Sequence, residues 1–527
     1  MQHATFNINT AFHNIHREYG AMATTGTVPR LNVEQQAAVK WMTSRESGPT
    51  PGGGILADDV GKGKTFTAAG LIRDSPLWPT LVIVPKSTIW QWAGVLNGVV
   101  GIATCVLTSA SSGTQLREVS RSRLVLASMG CVTGRVVPRE IADRVWGRVM
   151  LDEAHSIRNP NTMAHKTLRA LRAHAKWALT ATPVHNSPAD LLALARFVGF
   201  DTDDPEAVRH EIVLRRINGD AETVAAEDLK PSHGNDVKMN SVKMNSVLDV
   251  QTVHVTLTLP GERSLYDKVH DTFESAAKAA NSGCIAKLLA KMPANDGADE
   301  NKADDGDGCN DAVGKVCVFE RLLRCRQAAT HPGMYHRSMS IRKSDEAERN
   351  KHRECAADWA IRSSSKLVWL YNDLMACGQE RSVVFCDWLD EMNTLEMFLE
   401  ARGITTARFS GSLNVYERES VLTSFRRADG PRVLLMQVRS GACGLNLQTA
   451  SRVYFMRPQW NPAVEYQAIG RVHRTGQKND VVHVRRLVAV DTVDEAMDTI
   501  IQGKARSITS VMHDDILERC LSAANHK

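Results

Sequence analysis

The sequence predicts an α/β fold in two doubly wound parallel-sheet lobes, with a stretch of different character between them. The first observation lies between about 50 and 185, where short continuous apolar runs alternate with polar and helical stretches. Ile55-Leu56 leads into a Gly-rich loop, and LVIVP (Leu81 to Pro85), RLVLAS (Arg123 to Ser128), VMLDE (Val149 to Glu153) and WALTATP (Trp177 to Pro183) follow. Strands covered by helices on both faces read this way, because neither face alternates toward water. The second observation is a matching set that begins near 381: RSVVFCDW, TARFSG, RVLLMQV, SRVYFM and VVHVRRLV. The third is the helical spacing of Leu389, Met392, Leu395, Phe398 and Leu399 between the first two of those runs, with Gly403 where a C-terminal cap belongs. A doubly wound sheet is the simplest container for each set.

The bulk properties agree with several domains. At 527 residues the chain is too long for one ordinary core. Its 64 Lys and Arg exceed 59 Asp and Glu, a formal charge of +5 that permits nucleic-acid binding without demanding it. The 11 Cys are scattered singly with no CxxC, so a disulfide framework and a paired-Cys zinc module are both disfavoured, and a reducing compartment is expected. The opening thirty residues carry no apolar run after a basic start, and no segment approaches ~18 uninterrupted apolar residues. Neither secretion nor membrane insertion is therefore expected.

The middle is unlike the flanks. Val237 to Ser246 is a direct repeat, VKMNSVKMNS, and residues 294–312 read ANDGADENKADDGDGCNDA. The repeat reads as a duplication tolerated in a loop, and the acidic stretch as disordered or solvated. A calcium loop starting at Asp305 is the sharper alternative, but it would place Val316 where the bidentate Glu belongs.

Three short segments carry chemistry. LADDVGKGKT (Leu56 to Thr65) ends like a phosphate-binding loop, yet Asp58 stands where the common pattern has its first Gly. Gly61, Gly63, Lys64 and Thr65 keep the working parts: backbone N–H groups at a helix N-terminus, a Lys for phosphate charge and a hydroxyl for magnesium. A plain Gly-rich turn is the competing reading. VMLDEAH places Asp152 and Glu153 at the carboxyl end of an apolar strand, where open α/β sheets put their ligands. Asp152 could hold magnesium and Glu153 polarise a water; His155 could equally be a structural histidine. QAIGRVHRTGQ (Gln467 to Gln477) fits QxxxRxHRxGQ at all six specified positions. A chance match somewhere in the chain is on the order of 10⁻⁵ at about one in twenty per position.

These residues resemble the last motif of superfamily-two helicase-like motors, and the HRxGQ ending is similar to that of the Swi/Snf-like DNA-dependent ATPases. Further segments resemble that family's motifs in order: LNVEQ (Leu31 to Gln35), LADDVGKGKT, LVIVPKSTIWQW (Leu81 to Trp92), LDEAHSIRNPNT, LTATPVHN (Leu179 to Asn186), SSKL (Ser364 to Leu367), VVFCDW, GACGLNL (Gly441 to Leu447) and WNP (Trp460 to Pro462). An Asp at position 58 is that family's own variant. GGGILADD and RLLRCRQAATHP (Arg321 to Pro332) look most like the group containing transcription termination factor and helicase-like transcription factor. Cys309, Cys317, Cys325 and His331 lack RING spacing, so neither a RING module nor ubiquitin-ligase activity is expected.

The resemblance implies two RecA-like lobes with helical insertions between them, and ATP with magnesium bound between the lobes. The implied ranges are an N-terminal extension (1–29), a first lobe (30–215), the end of that lobe plus helical insertions (216–360), a second lobe (361–507) and a tail (508–527). Gln35 would read adenine, and Asp58, Gly61, Gly63, Lys64 and Thr65 would contact the nucleotide, as would Gly444 and Gln467. Thr65 and Asp152 would hold the metal, and Glu153 would activate water. Arg471 and Arg474 would act as arginine fingers. The implied partners are double-stranded DNA, gripped through its phosphates, and DNA-bound proteins as targets of a monomeric motor in the nucleus or otherwise on DNA. Its function would be ATP-driven translocation that remodels or displaces those proteins. A strand-separating helicase of DNA or RNA, and a non-enzymatic scaffold on an inactive motor fold, are the alternatives. Lys62, Gln437 and Arg457 depart from the family pattern; Lys62 and Arg457 read as exposed, solvated charges, with phosphate binding as the other option.

Overall fold

Aliphatic runs and amphipathic helices alternate along the chain, and in the computed structural model they wind into two units, Met1–Met244 and Asn245–Lys527. The structure describes residues 30–48, 52–109, 111–134, 137–217, 246–279, 310–342, 345–438, 445–474, 476–513, 517 and 521. Residues 237–245 of the VKMNS repeat, residues 294–309 of the acidic stretch, where the candidate calcium loop at Asp305 begins, and Gly444 lie outside those residues, while residues 310–316 of that candidate loop fall in the helix Asn310–Thr330.

The first unit is built on seven strands: β1 (Gly52–Leu56), β2 (Thr80–Val84), β3 (Thr104–Leu107), β4 (Leu124–Ser128), β5 (Trp146–Asp152), β6 (Ala173–Leu179) and β7 (Val213–Leu214). Their order is β3-β4-β2-β5-β6-β1-β7, and every pairing is parallel. All five residues of β2 and of β4 are buried, which is why those segments read as unbroken apolar runs. Helices Val33–Glu46, Lys64–Asp74 and Ile89–Val100 bury Met42, Ala68, Leu71, Trp92 and Leu96 against Val82, Leu126, Met150 and Trp177. One charge crosses this core: Arg148, fully buried, pairs with Glu46 at 2.5 Å and donates to the Ser75 carbonyl at 2.8 Å, while Trp177 Nε1 donates to Glu46 at 2.9 Å. With every partner in place, the pair avoids leaving a buried charge uncompensated.

The second unit holds β8 (Val247–Val255), β9 (Ser382–Cys386), β10 (Thr406–Phe409), β11 (Val433–Gln437), β12 (Arg452–Phe455) and β13 (Val481–Ala489), in the order β10-β11-β9-β12-β13-β8, again all parallel. The expected helix runs from Leu389 to Glu400 and buries Met392, Leu395, Phe398 and Leu399; Gly403 takes a left-handed φ of 78° just beyond it. The insertion is helical as expected. Glu262–Ala279 and Asn310–Thr330 pack Tyr266, Phe273, Leu322 and Cys325 against Val493 and Met497 of the long helix Val493–Met512. Helices Pro332–Arg342 and Glu346–Ile361 complete the insertion.

Strand β8 was not among the runs legible in the sequence. It pairs with β13 over nine residues, but as the edge of the sheet it keeps Val247, Gln251 and His254 exposed, so no continuous apolar signal marks it. No helix among the described residues is long and apolar enough to cross a membrane.

Candidate nucleotide site and its arginine pair

Strand order decides what can meet in the first unit. Strands β5, β6 and β1 are adjacent, so the segments that leave their carboxyl ends, Asp152-Glu153, Thr180-Ala181-Thr182 and the Gly-rich loop, emerge side by side. The Thr180 amide donates to the Leu56 carbonyl at 3.1 Å, which ties the second of these to the third.

The loop has the backbone a phosphate cradle needs. Gly61 and Gly63 take positive φ of 89° and 79°, and Gly63 caps the helix that begins at Lys64. A Cβ on Gly63 would stand 2.4 Å from Gln35 Nε2, an amide end that can move aside, so it is the left-handed conformation rather than space that requires glycine there. Lys64 Nζ folds back over the loop, donating to the carbonyls of Asp58 at 2.7 Å and Asp59 at 3.1 Å. Burial pulls its ammonium below the usual range, against the opposing charges of Asp58, Glu153, Asp59 and Asp152.

Asp152 accepts from Trp92 Nε1 at 2.8 Å and from the Glu153 amide at 3.0 Å. Burial, and then the Glu153 charge, push its carboxyl up to about 6, with Trp92 and Lys64 working the other way. Glu153 itself is a non-glycine residue at φ 50°, a sparsely populated conformation. His155 Nδ1 lies 3.4 Å from Glu153 Oε2 and 3.3 Å from Thr180 Oγ1, and its ring stacks on His185 with centroids 5.1 Å apart and planes 4° apart. This is more than a satisfied core histidine: it joins the strand-end carboxylate to the Thr180 turn. Trp92 and His185 were quoted within motifs but given no role by sequence reasoning; only their positions in those motifs could have signalled one.

Gln35 is engaged at both ends of its amide. Its Oε1 accepts from the Asn32 amide at 3.1 Å in a capping box, and its Nε2 donates to the Lys62 carbonyl at 3.2 Å. Lys62 is not a solvated charge, contrary to expectation: its ammonium meets Glu34 at 3.1 Å and its side chain is largely covered.

In the second unit, helix Pro462–Ile469 starts with Asn461 capping and Pro462 in the first turn, and buries Gln467. Arg471 and Arg474 follow. The Arg471 carbonyl accepts from the Leu447 amide at 3.0 Å, and Arg474 Nη1 donates to the Leu445 carbonyl at 3.4 Å, so this segment is fastened to the end of the GACGLNL stretch. Burial and the neighbouring Arg471 charge bring the Arg474 guanidinium down to about 10. Two crowded, partly desolvated guanidiniums are a receptor for anionic charge. Arg457 overturns the expectation of an exposed side chain. It is 1% exposed and pairs with Glu391 and, at 3.5 Å, with Asp387.

The groups present therefore fit a magnesium-bound nucleotide. In the first unit, mutually repelling carboxylates at Asp152 and Glu153 would be relieved by a cation, and a lysine is held over a glycine-turned helix N-terminus; the second unit, taken by itself, presents an arginine pair that an anion would relieve.

A family model described as SNF2-related domain matches residues 34–216, and one described as helicase conserved C-terminal domain matches 365–476. The chain belongs to the Swi/Snf-like family of helicase superfamily two. As a member it is a DNA-dependent ATPase. Among its relatives, the probable global transactivator of Orgyia pseudotsugata multicapsid polyhedrosis virus is 28% identical, with 85% of this chain and 84% of that protein covered. Human helicase-like transcription factor is 26% identical over 69% of this chain and 43% of its own length. Transcription termination factor 2 of Drosophila melanogaster is 22% identical over 88% of this chain and 55% of its own. This Swi/Snf-like chain thus spans about half the length of the cellular relatives it matches. The Pyrococcus furiosus Hef helicase domain shares the fold, with a TM-score of 0.50 at 16% identity over 89% of this chain and 97% of that one.

Proposed function

We propose that the chain is an ATP-driven translocase on double-stranded DNA that displaces or remodels DNA-bound proteins. The observation that supports it most is the convergence of the Gly-rich loop, Asp152-Glu153 and the Thr180 turn at adjacent strand ends of one sheet, within a chain of the Swi/Snf-like family. Gln35 is assigned to the base, and Gly61, Gly63, Lys64 and Thr65 to the phosphates. Among the described residues no group of three or more His, Cys, Asp or Glu is disposed to hold a metal alone. Magnesium would accordingly be shared between Thr65, Asp152 and the phosphates, where it neutralises phosphate charge. Glu153 is assigned to orient and deprotonate the attacking water, with His155 fixing its position. Arg471 and Arg474 are assigned to the charge that develops on the phosphates; such a group contributes about 10³ to 10⁵ in rate.

DNA would be held mainly through its phosphates, making binding sequence-independent and salt-sensitive. We assign the motor to a monomer working on nuclear or other DNA, with DNA-bound proteins as its targets.

The test is steady-state ATP hydrolysis by wild type and Lys64→Ala, without nucleic acid and with duplex DNA, single-stranded DNA or RNA. Strong stimulation by duplex, absent in the variant, supports the translocase. Preference for single strands or RNA would replace it with a strand-separating helicase, and no turnover under any condition would replace it with a scaffold.

A further inference from the structure

Asp58, the residue that breaks the common phosphate-loop pattern, is fully buried, and its carboxylate is already spent. Arg216 Nε donates to Asp58 Oδ1 at 2.8 Å and Arg216 Nη2 to Oδ2, a two-pronged pair; Arg216 Nη1 goes on to the Glu34 carbonyl. The main chain around this pair is laced just as closely. Strand β7 extends the β1 ladder through Ile55–Val213 and Leu56–Leu214, the Ala57 amide donates to the Leu214 carbonyl at 2.7 Å, and the Asp59 amide donates to the Arg216 carbonyl at 2.9 Å. Arg215 reaches the other way, donating to the carbonyls of Ala57 at 2.9 Å and Ala181 at 3.1 Å. Two consecutive arginines thus grip the loop, the turn after β6 and the first helix beside Gln35.

The consequence falls on Lys64. Its ammonium is held by the carbonyls of Asp58 and Asp59, and those carbonyls point where they do because the Asp58 side chain and the Asp59 amide are fixed by Arg216. We propose that Arg216 is a positioning residue for nucleotide binding, acting through Asp58 to preorganise the phosphate loop and its lysine. On this account Asp58 is an anchor and makes no contact with the nucleotide. The proposal rests on the ATP reading of this site and goes beyond it by assigning a residue outside the quoted motifs.

The charge pair dictates the test. Removing Arg216 alone strands a buried carboxylate, which must either reorganise the loop or take up a proton, whereas removing both charges strands nothing. Binding of a fluorescent ATP analogue with magnesium is titrated into wild type, Arg216→Met, Asp58→Leu and the double variant, with thermal melting of each as the check on folding. Arg216→Met is expected to weaken binding on the order of 10- to 100-fold and to raise the KM for ATP similarly, while kcat at saturation stays within about threefold. The double variant should bind no worse than Arg216→Met, because the two residues act as a unit. Arg216→Lys, which keeps the charge and loses the fork, should fall between wild type and Met. If Arg216→Met does not fold, Arg216→Lys and Asp58→Asn carry the same comparison. Equal binding by wild type and folded variants overturns the proposal, and so do losses that simply add in the double variant. Failure of wild type itself to bind the analogue would instead overturn the ATP reading, and the proposal with it.

Discussion

Arg457 sits over the indole of Trp388, its guanidinium carbon 3.7 Å from the ring centroid, and pairs with the buried carboxylate of Glu391. Glu391 in turn accepts from the Asp387 amide at 2.8 Å, and Asp387 takes Arg326 of the insertion helix at 3.0 Å. The pair therefore sits in a network that fastens the insertion to the end of β9. Arg457→Met should destabilise this unit by about 3–5 kcal/mol, because it leaves Glu391 buried and unpaired. Adding Glu391→Gln should recover part of that loss. Denaturant unfolding of wild type and the two variants checks both statements, and an Arg457→Met variant as stable as wild type would refute the structural role.

That relationship also shows where the sequence could and could not be read. Strands β2, β4, β5 and β9 were legible because burial on both faces forces continuous apolar runs, and the proposed site residues Lys64, Asp152, Glu153, Arg471 and Arg474 stood out because their motifs have recognisable spacings. Arg457 was not, since a charge in a strand-end segment has the same local signature whether it meets water or a carboxylate 66 residues earlier in the chain. Arg216 escaped for the same reason: its partner Asp58 is 158 residues away. Edge strand β8 hid because half-exposed strands dilute the apolar signal.

Arg474→Ala should keep nucleotide affinity within a few fold and lower the rate of hydrolysis by about 10³ or more, since a group that meets developing charge acts mainly in the transition state. Arg474→Lys should rescue little, because a point charge lacks the guanidinium fork. Single-turnover hydrolysis alongside analogue binding separates the two effects. Loss of DNA affinity with normal turnover would contradict the assignment.

Acid should loosen the insertion. His331 is buried, accepts at Nδ1 from the Gly333 amide at 3.1 Å and meets Trp359 edge-on; burial, then the Arg337 charge, bring it down to about 4. His336 is likewise lowered to about 4, by burial and by His352, whose Nδ1 faces its own at 2.9 Å. Both folded values lie below the unfolded ~6.5, so the fold favours the neutral rings. Their contribution is complete above pH 6.5 and is lost as pH falls toward 4, because the unfolded chain then binds protons the folded chain refuses. For His331 the full shift corresponds to roughly 3 kcal/mol. Melting temperatures between pH 7 and 5 should fall with acid, and His331→Asn, which can still accept from Gly333, should flatten that slope. An unchanged slope would mean His331 does not titrate in this range.

Gln35 raises a different kind of constraint. Reading adenine takes both an amide oxygen and an amide nitrogen, yet its Oε1 now closes the capping box on Asn32 and its Nε2 holds the Lys62 carbonyl. Either the base displaces the Lys62 carbonyl alone, with Oε1 shared, or the first turn of helix Val33–Glu46 must open. The bond to Lys62 is also what keeps the loop tip against that turn, together with the Lys62–Glu34 ion pair. Gln35→Ala should therefore act twice. It should erase most of the preference for ATP over GTP, a change of about tenfold in the ratio of kcat/KM for a single discriminating amide. It should also weaken binding of every nucleotide by loosening the loop. Glu34→Gln, which removes only the ion pair, should show the second effect without the first. Measuring kcat/KM for both nucleotides in the two variants decides the matter: a Gln35→Ala enzyme that still prefers ATP as strongly as wild type would leave this amide a loop tether and place base recognition elsewhere.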